Sequence, residues 1–136
     1  MVEPGGQKRV LIVDDERVIT DTLVTIFSQS GYETKGVYSA EQALSAMEDW
    51  RPELVIIDVL LPAMNGIDLA IRIKSQWAEC HIYLFSGQAA TGDLLDMAMK
   101  NGHTFDVLAK PVHPSELLGI AGRLLGETPS ITSIEN

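Results

Sequence analysis

Short runs of Val, Ile, Leu and aromatic residues recur along this chain, and each is followed by a stretch with helical spacing. The runs are RVLIVD (Arg9 to Asp14), YETKGVY (Tyr32 to Tyr38, the weakest), ELVIIDV (Glu53 to Val59), HIYLFS (His81 to Ser86) and FDVLAK (Phe105 to Lys110). They are mostly continuous rather than alternating, which suits strands covered on both faces, as in a parallel sheet. Between them, Val18, Ile19, Leu23, Ile26 and Phe27 recur at helical spacing before a stop at Gly31. SAEQALSAM opens with Ser39 and Gln42 in capping-box spacing. NGIDLAIRIKSQW sets Ile67, Leu69, Ala70, Ile73 and Trp77 on or near one face, and TGDLLDMAMKNG ends at Asn101 and Gly102. HPSELLGIAGRLLG puts Pro114 at a first helical position with Glu116 in the first turn.

Strand and helix therefore alternate, which predicts βα units with right-handed crossovers. The expected fold is α/β: a doubly wound five-stranded parallel sheet of order 2-1-3-4-5, flavodoxin-like, with five helices in three layers. A length of 136 residues suits one domain. That domain is expected over residues 8–125. Residues 1–7, with Pro4, Gly5 and Gly6, read as a flexible leader, and 126–136 as a flexible tail or the start of a linker.

In sheets of this kind ligands bind beyond the carboxyl ends of the strands, at the switch point between the first and third strands. The first strand ends in Asp14 and Asp15, the third in Asp58, the fourth in Ser86, and the fifth in Lys110 followed by Pro111. The topology would thus gather three carboxylates, a hydroxyl and an ammonium on one edge. Carboxylates at close quarters repel one another. A hard divalent cation with oxygen ligands and retained waters relieves this, which describes Mg²⁺. The cation and lysine would also neutralise phosphoryl oxygens, and a carboxylate can be the nucleophile, giving an aspartyl phosphate.

A formal net charge of −9 argues against nucleic-acid and anionic-membrane partners and suits a cation or a basic partner surface. Cys80 is the only cysteine, so no internal disulfide can form. The start, MVEPGGQKR, lacks an apolar signal core, and no apolar run approaches the roughly 20 residues of a membrane span. A cytoplasmic protein is the expectation.

The motifs LIVDDE, ELVIIDVLLPAMNGIDL, YLFSGQ and VLAKP, with Pro62 and Gly66 four and eight residues after Asp58, resemble the receiver domain of bacterial two-component response regulators. The likeness runs from about Arg9 to Leu125. It implies that Asp58 is the phosphoacceptor and that Asp14 and Asp15 are the acidic pair. Asp15 would bind Mg²⁺ directly and Asp14 through water, with the backbone carbonyl of Leu60 as a further ligand beside Asp58. Lys110 would pair with Asp58 and later with the phosphoryl group, and Ser86 would swing towards that group. A cis bond before Pro111 would aim Lys110 inward. The sequence departs from the family at Val107, where an aromatic ring usually stands, and in having Ser86 for the commoner Thr. Leu60 and Gln88 occupy positions that tune dephosphorylation, the first shielding from water and the second orienting it.

Other residues carry blander expectations. Glu16 reads as part of a solvated first helical turn with no site role. His81, His103 and His113 lack metal-ligand spacing; His113 could cap the last helix, and the others read as surface residues. Cys80 reads as an inert filler, and Trp50 and Trp77 as packing residues. Met97 and Met99 read as one core and one exposed residue rather than as an adaptable partner surface.

The function so implied is a phosphorylation-activated signalling switch, fed by a sensor histidine kinase or a phosphotransfer protein and acting through its fourth and fifth helices. It would assist only its own phosphorylation and dephosphorylation, without being an enzyme on other substrates. Its output would be a downstream effector or a fused output domain, with a homodimer on activation as a further expectation. The alternatives are a receiver-like adaptor that works without phosphorylation, and a Mg²⁺-dependent phosphotransferase of the haloacid-dehalogenase kind. The latter wants Asp-x-Asp at the first strand end, whereas Asp14 and Asp15 are adjacent.

Overall fold

Every residue from Val10 to Val13 is fully buried. Successive strand side chains point to opposite faces, so such a strand needs apolar cover on both sides. The computed structural model, which describes residues 7–87, 91–110 and 113–126, supplies that cover. In chain order these residues form β1 (Arg9–Val13), α1 (Arg17–Gln29), β2 (Glu33–Val37), α2 (Ala40–Ala46), β3 (Leu54–Asp58), α3 (Gly66–Gln76), β4 (His81–Ser86), α4 (Thr91–Lys100), β5 (Asp106–Ala109) and α5 (Pro114–Leu125). The strands pair in parallel in the order β2-β1-β3-β4-β5, as expected. Most of the expected leader and tail, together with Gln88 and Pro111, lies outside the described residues.

Two apolar clusters sandwich the sheet. Leu11, Val13, Val55 and Ile57 pack with Ala43, Met47, Ile67, Ala70, Ile73 and Ala98 from α2, α3 and α4. Val10, Ile12, Leu54, Ile56 and Phe85 pack on the other face with Leu23, Phe27, Leu117 and Ala121 from α1 and α5. Each fully buried Val, Leu or Ile contributes roughly 1.5–3 kcal/mol. β2 has its central residues only partly covered, which matches its weak sequence signal.

The caps follow the sequence closely. The Ser39 side chain accepts from the Gln42 N–H at 3.1 Å, while the Gln42 carboxamide accepts from the N–H of Tyr38, one residue earlier than a standard capping box. His113 caps α5 as expected, its Nδ1 accepting from the Ser115 N–H at 3.2 Å, and Pro114 opens the helix.

Two expectations need correction. Val18 shares the helical spacing of Ile19, Leu23, Ile26 and Phe27 but is 79% exposed, and Thr20 is buried instead. The Thr20 hydroxyl donates to the Asp14 carbonyl at 2.6 Å, a bond that draws a polar residue inward. Met97 and Met99 are both exposed, because Ala98 between them faces the core. The helix can send only one of three consecutive residues inward there.

The link from β3 to α3 is tightly packed. The Gly66 N–H donates to the Val59 carbonyl at 2.7 Å, and a Cβ at Gly66 would collide with the Asp58 carbonyl oxygen. Ala63, three residues earlier, takes a left-handed φ of 69°. Gly66→Ala is therefore expected to lower stability by about 2–3 kcal/mol by displacing Asp58 or α3. Ala63→Gly should stay within about 0.5 kcal/mol of the parent, since relief of the left-handed conformation offsets the added unfolded-state freedom. Urea denaturation midpoints check both.

Candidate functional site

Strand register brings the acids together. The β1–β3 pairing runs to Val13 opposite Ile57, so the next residues, Asp14 and Asp58, stand side by side where pairing ends. Asp58 is opposite Phe85 in β4, which puts Ser86 one step further up. Ser86 is opposite Ala109 in β5, and Lys110 follows, its N–H donating to the Ser86 carbonyl at 2.8 Å. The chain leaves β1 for α1 on one face of the sheet and β3 for α3 on the other. A crevice opens where the two paths diverge.

Carboxylate oxygens of Asp14, Asp15 and Asp58 all lie within 4.8 Å of one another. Asp14 and Asp58 are buried while Asp15 is exposed. Lys110 Nζ lies 3.0 Å from Asp14 Oδ2 and 3.5 Å from Asp58 Oδ2, and 4.8 Å from the centre of the Phe85 ring. The Leu60 N–H donates to Asp58 Oδ1 at 3.4 Å, and the Glu16 N–H to Asp14 Oδ1 at 2.9 Å. Ser86 is buried at the end of β4. Each sequence-chosen residue thus reaches the same end of the sheet, although the Leu60 side chain is half open to water rather than a lid.

The electrostatics are unbalanced. Burial pushes the Asp58 carboxyl up to about 6, and the neighbouring Asp14 charge pushes the same way. Lys110 and the Leu60 N–H pull it down and lose. Burial works to lower the Lys110 ammonium, but its hydrogen bond to Asp14, the charges of Asp58 and Asp14, and its contact with Glu16 outweigh this and raise it. Two charges about 4 Å apart near a protein surface interact by about 4 kcal/mol. One ammonium cannot offset three such carboxylates. An all-oxygen donor set with surplus negative charge fits a hard divalent cation.

Glu16 corrects the sequence reading. It is not in the first turn of α1 but is the N-cap residue, with φ −78° and ψ 102°, and its Oε1 lies 3.4 Å from Lys110 Nζ. The Asp14 side chain accepts the backbone N–H two residues on and turns the chain back over the strand ends, a bond that does not depend on the acid at that position. Cys80 behaves as expected: it is buried, and burial pushes its thiol up to about 12.

Residues 10–121 match the sequence profile of the family described as the response regulator receiver domain. The DNA-binding response regulator MtrA of Mycobacterium tuberculosis is 31% identical over 82% of this chain and 48% of its own length. The transcriptional regulatory protein HptR of Staphylococcus aureus is 36% identical over 86% of this chain and 46% of its own. The chain therefore spans about half the length of the curated relatives it matches. Among solved structures, a CheY-like receiver domain protein from Methanospirillum hungatei superimposes with a TM-score of 0.78 at 28% identity, covering 89% of this chain and 96% of that one. No helix among the described residues is long and apolar enough to cross a membrane.

The raised Asp58 carboxyl has a consequence for stability. Below about pH 4 it is protonated in both folded and unfolded chains and costs nothing. As pH rises through about 6 the folded chain must ionise it against burial and Asp14, and stability falls. In chelator, Asp58→Asn should therefore stabilise the protein by about 1–3 kcal/mol at pH 7.5 and by little at pH 4.5. Thermal melts at the two pH values check this.

Proposed function

The chain belongs to the response regulator receiver domain family, and on that premise we propose that it is a phosphorylation-activated switch whose phosphoacceptor is Asp58. The observation that carries this reading is the Asp58 carboxylate itself. It is buried at the end of β3, ringed by Asp14 and Asp15, and 3.5 Å from a single ammonium.

Held by Asp14, Asp15, Asp58 and the Leu60 carbonyl, Mg²⁺ would neutralise the carboxylates and the oxygens of an incoming phosphoryl group. The remaining work falls to the chain. At neutral pH Asp58 is ionised despite its raised pKa, so it keeps a lone pair for attack. An Asp58 oxygen–phosphorus bond forms as the phosphorus–nitrogen bond of a phosphohistidine breaks, and the donor imidazole leaves with the electron pair and gains a proton from water. Lys110, held charged by its acidic neighbours, moves onto the phosphoryl oxygens. The Ser86 hydroxyl donates to another of them. The phosphoryl donor is a sensor histidine kinase or a phosphotransfer protein.

The relatives named above support an output domain on the same chain or a separate effector. The earlier expectation of no nucleic-acid partner gains no support, because relatives about twice as long are called DNA-binding and transcriptional regulatory. The charge of −9 belongs to this stretch alone. Transmission through the α4 and α5 surface, and a homodimer formed there on activation, complete the proposal.

One observation favours a second reading, an adaptor that works without phosphorylation. Val107 is half-buried against the cluster that includes Leu94 and Leu95, and offers no ring to reorient. Incubation with Mg²⁺ and a small acyl phosphate separates the two. A labile adduct in the intact mass, abolished in Asp58→Asn and by chelator, is expected for the switch. No adduct, and no rise in melting temperature with beryllium fluoride, would leave the adaptor.

A further inference from the structure

Three carboxylates surround one ammonium, and they differ in how easily water can take its place. Lys110 Nζ lies 3.0 Å from Asp14, 3.4 Å from Glu16 and 3.5 Å from Asp58. The Asp14 side chain is fully buried and that of Asp58 nearly so, whereas that of Glu16 is 64% exposed. An ammonium has three N–H donors; two of them bond Asp14 and Glu16, and Asp58 holds the longest contact, an ion pair at 3.5 Å.

The Glu16 side chain does not cap its own helix, although its carbonyl accepts the N–H groups of Ile19 and Thr20. It is the N-cap residue of α1, yet its side chain accepts no bond from the first N–H groups of that helix. Its backbone is fixed instead by the bond from its N–H to Asp14 Oδ1. The residue is thus tied at one end to the acidic pair and in contact with the site lysine at the other.

We infer that Glu16 is a positioning residue for the phosphoryl-accepting reaction, holding Lys110 partly off Asp58 until a phosphoryl group arrives. This rests on Asp58 being the phosphoacceptor. Of the two carboxylates other than Asp58, only Glu16 can release the lysine cheaply, because water resolvates it at once. Asp14 would be left as an unpaired buried charge. When phosphoryl oxygens reach Asp58, the lysine keeps Asp14, gives up Glu16 and turns that donor to the new anion. Glu16 therefore competes with the phosphoryl group for one N–H and slows its capture.

Two variants separate this contact from a general effect of charge. Glu16→Ala removes both charge and reach, and Glu16→Asp keeps the charge but is one methylene too short to hold the lysine. With the full chain, Mg²⁺ and acetyl phosphate, both are expected to raise the phosphorylation rate constant by about two- to five-fold, the factor an exposed ion pair commands. In the metal-free protein, both should shift the Lys110 side-chain ammonium resonance in the same direction. A Glu16→Asp variant that matches the parent while Glu16→Ala is faster would reduce Glu16 to background charge and overturn the inference. So would an unmoved lysine resonance in both, or unchanged rates. A parent that accepts no phosphoryl group would instead overturn the reading of Asp58, an outcome the mass spectrum shows before any variant is compared.

Discussion

Repulsion among Asp14, Asp15 and Asp58 is the constraint around which this fold is arranged. Three carboxylates within 4.8 Å of one another would spread apart on any flexible support. Here they cannot, because two of them stand at the ends of the adjacent central strands β1 and β3, whose residues Val10 to Val13 and Leu54 to Ile57 are fully buried. The apolar clusters on the two faces of the sheet hold β1 and β3 in register, and that register holds the charges together. The core thus works against the site, first by burying Asp58 and then by holding it beside Asp14, and together these push its carboxyl up to about 6. A cation or a lysine is the natural relief, and the fold supplies one lysine from the far edge, across β4.

Most of this was legible in the sequence because both periodicities were unambiguous. Continuous runs such as VLIV and LVIID can be buried on both faces only in a covered parallel sheet, and the intervening helical spacing fixes the crossovers. Strand order then places the polar residue at each strand end without further information, which is why Asp14, Asp58, Ser86 and Lys110 could be expected at one end of the sheet, where they lie. What could not be read were the choices made by single hydrogen bonds. Thr20 displaced Val18 from the buried stripe because its hydroxyl reaches the Asp14 carbonyl. Met97 and Met99 looked interchangeable until the helix turned Ala98 inward. Glu16 looked like a solvated helix acid, since nothing in local spacing says that the residue following β5, 94 positions later, will lie 3.4 Å away.

The departures from the family pattern also have a common physical sense. With Val107 in place of a ring, β5 carries no aromatic side chain. The bulky group in contact with the site lysine is Phe85, fully packed in the opposite cluster with Leu23, Leu117 and Ala121. Its ring faces a cavity of about 400 Å³ between α1 and α5, lined also by Val18, Ile19 and Lys110 itself. Close-packed interiors do not deform smoothly, and displacement is easiest where a void adjoins the moving group. Any displacement of Lys110 therefore changes its contact with Phe85 beside that cavity, while Val107 packs against the cluster on the other face of the sheet. By contact, the site lysine is thus tied to the α1 and α5 face of the sheet rather than to Val107.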